Sequence, residues 1–499
     1  MLAQDTFFTA PEIEWWHISP MLTLVGGALV LLLVGALTPR WPRGLYGLVT
    51  ALTAMTAGVL AFLQWQEIDD DGPATLIDGA LAFDHLTQLL TIAICAAVLL
   101  VALVTIDELD IAGKDGPEMY AMFLIAATGA VVMSSANDLI VLFLGLETLS
   151  LALYVLAASD RTPRSQESGL KYFILGGFAS ALFLYGIALV YGTTQSTNIS
   201  EVAASFTTNV SLEGDPPLIL AGLALLIVGL GFKVAAVPFH IWSPDVYQGA
   251  PNQVTAFMAS VGKAAAFAAM LRVLVIALPF QRDDWRPAIW VLAVLSLVFG
   301  SLLAAVQTDV KRMLAYSSVS HAGFILVGVE AAGHDSAGEG MPSVAVYLLL
   351  YSILTVGSFA VVAIVAHSNG GDSSIGAFNG LASRRPAVAV ALTVFLLAQA
   401  GVPFTTGFIA KWGVIQAAIE ESSYALGIIA MLSAVIAAFM YLRIMVSAWL
   451  TDAEGDVARE TVPFASAAAI TAAALFTVVV GIFPEWLLHA AESVTQYAR

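Results

Sequence analysis

Stretches of about twenty apolar residues follow one another along nearly the whole chain, separated by short polar interruptions. In lipid only helices and closed barrels satisfy their own backbone groups, so runs of this length are read as membrane-crossing helices. Cutting at the interruptions predicts about fourteen spans, at 20–38, 44–64, 84–105, 118–136, 138–158, 168–192, 217–240, 251–278, 286–307, 311–331, 342–367, 386–418, 424–449 and 462–483. With 11% charged and 59% hydrophobic residues in 499, little length is left for a soluble catalytic domain. The expectation is an all-α polytopic membrane protein, one membrane domain over residues 1–499.

Charge narrows the class further. The net charge of −18 comes from loop acids such as Asp69 to Asp71, the opposite of the basic patches that nucleic acid demands. The chain's one cysteine, Cys95, lies in an apolar run and forms no internal disulfide or cysteine-ligated iron–sulfur cluster. Glu12 and Glu14 stand where a signal peptide would be basic, so no cleavable leader is expected. There is no P-loop, Gly229 and Gly231 do not extend to a dinucleotide fingerprint, and no histidine pair has the spacing for haem or zinc within one helix. No metal or redox centre is therefore expected in this chain.

Lysine and arginine sort by side. Arg40, Arg43, Lys114, Arg161, Arg164, Lys171, Lys311, Arg312, Arg384, Arg385, Arg443 and Arg459 fall at one side, and Arg282, Arg286 and Arg499 at the other. This predicts a cytoplasmic first set and both termini outside. Lys311-Arg312 and Arg384-Arg385 read as simple anchors, and Arg272 as a residue that snorkels from near the outer end of its span. Lys233, Lys263 and Lys411 remain deep inside spans, with Glu147 the clearest buried acid. Ammonium and carboxylate groups at that depth are expensive in lipid and mark polar paths or charge pairs.

AAVPFHIW at 235–242 is echoed by AGVPFTTGF at 400–408, each in an apolar span that carries a lysine. Proline removes a backbone donor and crowds the preceding turn, so breaks are expected near Pro238 and Pro403. Paired interrupted spans point to an ion site in transporters. Five spans separate the breaks, which makes the two units inverted. The predicted organisation is 1–117 as N-terminal helices, 118–278 and 286–449 as inverted five-helix repeats each with a broken helix, and 450–499 as a last helix and tail.

A carboxylate beside a buried lysine forms a coupled proton store, and a desolvated lysine can exchange its proton near neutral pH. Glu147, Lys233, Lys263 and Lys411 are thus candidate proton-transfer groups. His321, beside Tyr316 and a run of serines, can organise a water wire. His240 marks a possible entrance, and Lys171, near Glu167, is an accessory or a snorkelling residue. The competing reading makes these charges static ties between helices.

The segments FLGLETLSLALYVL, ESGLKYFILGGFASALFLYGIALVYG, GFKVAAVPFHIWSPDVYQGAPNQVTAFMASVGKAAAFA, DVKRMLAYSSVSHAGFILVG and GVPFTTGFIAKW closely resemble the antiporter-like membrane subunits of respiratory complex I. The SPDVYQGAP segment, lysine at 411 and the short tail after the last span are nearer to the N type than to the L and M types. The resemblance implies that Glu147 pairs with Lys233 of the first broken helix, that Lys263 connects onward, that His321 lies on a central hydrophilic axis, and that Lys411 adjoins the exit. It also implies a non-redox subunit of a proton-translocating NADH:quinone oxidoreductase in a bacterial inner (plasma) membrane. Flavin, iron–sulfur clusters and quinone would belong to partner subunits, and the neighbours would be an M-type subunit and small membrane subunits. The other readings are a subunit of a multi-subunit cation/proton antiporter of the Mrp type, and a purely structural membrane subunit.

Overall fold

The computed structural model describes residues 12–38, 41–113, 116–208, 216–334, 339–452 and 462–498. Arg40, Lys114, Arg459 and Arg499 lie outside them. From the N-terminal side come α1 (Ser19–Leu37), α2 (Leu45–Asp71), a two-stranded antiparallel hairpin of β1 (Ala74–Leu76) and β2 (Leu81–Phe83), α3 (His85–Ala112), α4 (Pro117–Ser135), α5 (Leu139–Ala157), α6 (Pro163–Thr194), α7 (Ile199–Thr208), α8 (Pro216–Lys233) and α9 (Trp242–Gly249). One span then joins α10 (Asn252–Phe257), a π-helical turn at Met258–Gly262, α11 (Lys263–Met270) and a second π-helical stretch at Leu271–Ala277. After it come α12 (Arg282–Ala305), α13 (Val310–Ala331), α14 (Gly340–Ser368), α15 (Leu381–Arg384), α16 (Pro386–Ala400), α17 (Thr406–Glu420), α18 (Tyr424–Leu450), α19 (Phe464–Ile482) and α20 (Glu485–Glu492).

Among the described residues twelve helices are long and apolar enough to cross a membrane, and α8 and α16 are shorter apolar helices. Together they account for the expected spans. The α10–α11 span, α13 and α14 are enclosed by the rest, whereas α1, α6 and α18 expose broad apolar faces. Lipid tails are as apolar as leucine, so helices are drawn together by close packing rather than by hiding oil from water. The contact of α4 with α5 shows this: a Cβ on Gly145 would stand 3.0 Å from the Gly129 carbonyl oxygen.

Both interruptions use one device. At the end of α8, Ala236 N–H donates to the Gly231 carbonyl at 2.9 Å, and at the end of α16 Val402 N–H donates to Leu397 at 3.0 Å. The left-handed residue that permits this wrap is Ala235 (φ 59°) in one and Gly401 (φ 89°) in the other. The helices therefore stop at caps lying ahead of Pro238 and Pro403, a correction to the expectation that the prolines themselves break them. The cap geometry pairs Ala235 with Gly401, one residue away from the register of the two VPF motifs. Lys233 ends the helix before its break, while Lys411 lies in the helix after the second.

A second pair of matching joints supports the inverted repeat. Asp138 starts α5 and accepts the Thr197 hydroxyl at 2.6 Å, while Leu139 N–H meets the Thr197 carbonyl at 2.8 Å. Asp309 starts α13 and accepts the Ser373 hydroxyl at 2.6 Å, while Val310 N–H meets the Ser373 carbonyl at 2.7 Å. Each aspartate also caps its own helix. Helix α13 is the fifth span after α5, so the twin joints lie at opposite ends of the bundle.

The described basic residues gather as the sorting predicted. Arg312 and Lys171 meet at Asp245, Arg43 lies against Asp110, and Arg443 donates to the Ala305 and Gln307 carbonyls, all at the end where α13 begins. Arg286 lies at the other end, against Glu330. Ala498 N–H reaches Asp84 at that same opposite end, and Trp16 and His17 bond Glu67 there.

Candidate proton-transfer site

Lys233, Lys263, His321 and Lys411 are all buried, at 8%, 2%, 3% and 5% exposure. The Lys233 ammonium donates to Ser150 Oγ at 2.7 Å and to the Tyr172 hydroxyl at 3.4 Å. A cavity of about 10 Å³ adjoins it, lined by Ser150, Tyr154 and Ser180, room for about one water molecule. Glu147 sits three residues before Ser150 on the same face of α5, within electrostatic reach of Lys233. Its Oε1 is buried without a hydrogen-bond partner. Lys233 therefore bonds Ser150, whose hydroxyl donates to the Leu146 carbonyl at 2.5 Å, rather than forming the implied direct ion pair with Glu147. Glu147 is also only half-buried: it borders an outer face with Leu144, Leu151 and Val155, which correct its reading as an acid enclosed by this chain.

Lys263 follows the first π-turn and donates to both the carbonyl and the hydroxyl of Ser318, the latter at 2.7 Å. The ammonium also stands over the Tyr351 ring at 5.6 Å. One residue away on α13, Ser317 Oγ lies 2.5 Å from the Tyr441 hydroxyl, which in turn stands 3.3 Å from His321 Nε2. His321 Nδ1 is 2.6 Å from the Tyr347 hydroxyl. Ser317 also donates to Gln399 Oε1 at 3.5 Å, and the Gln399 carbonyl accepts from Lys411 at 2.7 Å. Lys263 therefore meets α13 at Ser318, His321 joins Ser317 through Tyr441, and Lys411 meets the backbone of Gln399, whose side chain Ser317 contacts. Between Lys233 and Lys263 the connection is aromatic: Tyr172 stacks on Trp242 at 4.6 Å, and Trp242 meets Tyr247 edge-on at 6.0 Å.

The accessory residues form a separate group at the basic end. Lys171 bonds Glu167 and Asp245, each at 2.8 Å, and Asp245 bonds Arg312 at 2.7 Å. Burial alone would raise the Asp245 carboxyl, but the Lys171 and Arg312 hydrogen bonds outweigh it and hold the group below the usual aspartate value. Arg312 lies over the Tyr316 ring at 5.9 Å, and His240 faces the same ring at 6.3 Å.

Three readings change. Lys311 is no surface anchor: it is buried and donates to the Ala250 carbonyl at 2.7 Å, on the wall of a cavity of about 490 Å³. Arg312 is tied to Asp245 rather than free in the interface. Arg272 does not snorkel. It is fully buried and bonds Asp84 at 2.9 Å and Thr87 at 2.6 Å. Asp84 and Asp245 escaped the sequence reading. The D-x-x-T spacing that makes Asp84 a helix cap was the available signal for the first, and the second carried none. Among the described residues no group of three or more His, Cys, Asp or Glu side chains could hold a metal ion.

Two interrupted helices in an inverted arrangement, each carrying a buried lysine, define the class of antiporter-like membrane subunits. The chain matches the family described as "NADH:quinone oxidoreductase/Mrp antiporter, TM" over residues 136–437. It is 39% identical to NADH-quinone oxidoreductase subunit N of Rhodococcus opacus, covering 100% of this chain and 99% of that one. Subunit N of Mycobacterium tuberculosis is 37% identical, over 98% of this chain and 99% of its own. The chain belongs to the NADH-quinone oxidoreductase subunit N family. A chain of respiratory complex I from Thermus thermophilus superposes with a TM-score of 0.79 at 32% identity, covering 95% of this chain and all of that one. A chain of the Mrp complex from Dietzia, at 20% identity and TM-score 0.82 over 96% of each, shares the fold.

Proposed function

We propose that this chain is a proton-translocating membrane subunit of an NADH–quinone oxidoreductase, coupling quinone reduction elsewhere in the complex to proton transfer. The observation that carries this reading is the set of polar contacts along α13: Lys263 on Ser318, Ser317 on Tyr441 and Gln399, His321 on Tyr441, and Lys411 on the Gln399 carbonyl. Hydroxyls and imidazole both donate and accept, so such a set can hand a proton along. Glu147 and Lys233 form its loading pair, with a single water between them, and Lys171, His240 and Tyr316 border the entrance. Pro238 and Pro403 follow the caps that open the two helices. Residues 118–278 and 286–449 act as the two inverted units.

The redox groups belong to partner chains: flavin, iron–sulfur clusters and quinone reside there, and an M-type subunit with small membrane subunits lies alongside in the bilayer. The basic end faces the cytoplasm of a bacterial inner membrane and both termini face out. The test is proton yield per quinone reduced in reconstituted complex. Glu147→Gln and Lys233→Ala are expected to lose proton transfer while assembly is retained. Unchanged yield in both, in an intact complex, sinks the proposal. Purification from native membranes with cation/proton antiporter chains and without redox activity would instead favour the Mrp-type reading.

A further inference from the structure

Helix α13 carries polar groups from Lys311 to His321, then eight residues without a polar side chain, and near its end one acid that has no part in the contacts described above. Glu330 lies nine residues beyond His321, near the end opposite the basic cluster, and is 3% exposed. Its Oε1 meets Arg286 of α12 at 3.0 Å and His334 Nε2 at 3.3 Å. Its Oε2 accepts the Ser423 hydroxyl at 3.0 Å. His334 Nδ1 faces Glu421, just beyond α17, at 3.5 Å. One imidazole therefore bridges a buried carboxylate and a more exposed one.

From this arrangement we infer that Glu330 and His334 form the proton-release site at the Lys411 end of the path. The inference rests on the function proposed above. Helices α13 and α17 run side by side in the same direction: Lys411 stands 4.7 Å from the Phe324 ring, a Cβ on Gly328 would meet Val414, and His334 meets Glu421. Phe324 to Glu330 is six residues, about 9 Å along a helix, and the space between is closed by Gly328 against Val344 and Val414. This apolar seal separates the loaded lysine from the outlet until water enters it.

The charges suit an acceptor of one proton. With His334 neutral, Arg286 offsets one of the two carboxylates, Glu330 and Glu421, leaving one negative charge. A proton leaving the Lys411 ammonium makes the amine neutral and, carried by water, converts the Glu330 carboxylate to its acid. Arg286 Nη2 stands 2.5 Å from His334 Nε2 and donates to it while the imidazole is neutral. The acid passes its proton to Nε2 as that contact gives way, and the imidazolium so formed loses its Nδ1 proton to solvent beside Glu421. Arg286 keeps its proton throughout and holds Glu330 in place.

Proton yield per quinone reduced would be measured in vesicles for Glu330→Gln, Glu330→Asp, His334→Gln and Lys411→Ala. Glu330→Gln is expected to lose yield, Glu330→Asp to recover most of it, and His334→Gln to change the pH profile of the yield. Full yield in Glu330→Gln beside a loss in Lys411→Ala overturns the release site alone. Full yield in both overturns the proton-path reading itself. Should Glu330→Gln fail to assemble, an apolar carbodiimide, which attacks protonated carboxyls, would be applied to the wild-type complex. Labelling of Glu330 during turnover is expected, and its absence there overturns the inference.

Discussion

At the scale of single residues, the Asp84–Arg272 pair sets the sharpest energetic test. Both side chains are fully buried, and Arg272 Nη1 already lacks a partner. Removing one member strands the other's charge away from water, a loss of about 3–5 kcal/mol. Asp84→Ala is therefore expected to lower the thermal midpoint of the detergent-purified protein sharply, and an unshifted melting curve would show that the guanidinium finds another partner. Lysines in apolar runs stand out in a sequence because nothing around them resembles them. Their partners do not: Lys263 meets Ser318 across 55 residues and Arg272 meets Asp84 across 188. That is why Lys263, His321 and Lys411 were legible as candidates, whereas Asp84, Asp245 and the environment of Lys311 were not. Glu147 was legible as costly in lipid, but not as a residue at the edge of its own chain.

At the scale of elements, Asp245 pins three helices: its carboxylate on α9 holds Lys171 of α6 and Arg312 of α13. Its folded value is lowered, so its stabilisation is complete above the ordinary aspartate value near 3.9 and disappears as pH falls through the lower folded value. Hydrogen exchange of the Trp242–Gly249 amides is expected to accelerate below about pH 4, and Asp245→Asn is expected to exchange fast already at neutral pH. Identical exchange in wild type and variant would show that α9 is held by packing alone. The helices themselves were legible from apolar length, and the two interruptions from their VPF motifs. Where each helix stops was not. Ala235 adopts a left-handed cap that glycine usually takes, as Gly401 does in the twin, and no residue type announces it. The π-helical turns around Lys263 and Arg272 left no pattern either, since they change hydrogen-bond register without changing composition.

For the whole molecule, the number of spans and their pairing into inverted halves follow from the spacing of polar interruptions, but the outer surface does not divide so simply. A face meeting lipid and a face meeting another membrane subunit are both apolar, so composition cannot separate them. Glu147 does. It borders the surface formed by Leu144, Leu151 and Val155 of α5 with Phe173 and Phe178 of α6. An acidic side chain facing hydrocarbon at the centre of a helix costs about 2.5–3.5 kcal/mol, whereas a polar group from a neighbouring subunit set against the exposed part of the side chain relieves that cost. The α5–α6 face is therefore expected to be an interface between subunits. A benzophenone side chain placed at Leu151 reacts with any C–H bond it touches, lipid or protein. In native membranes it should join this chain to one membrane subunit of the complex, and the product should vanish when the complex is dissociated before irradiation. Lipid adducts alone would leave Glu147 facing the bilayer, and the loading pair with Lys233 would then have to bear the whole cost of that charge within this chain.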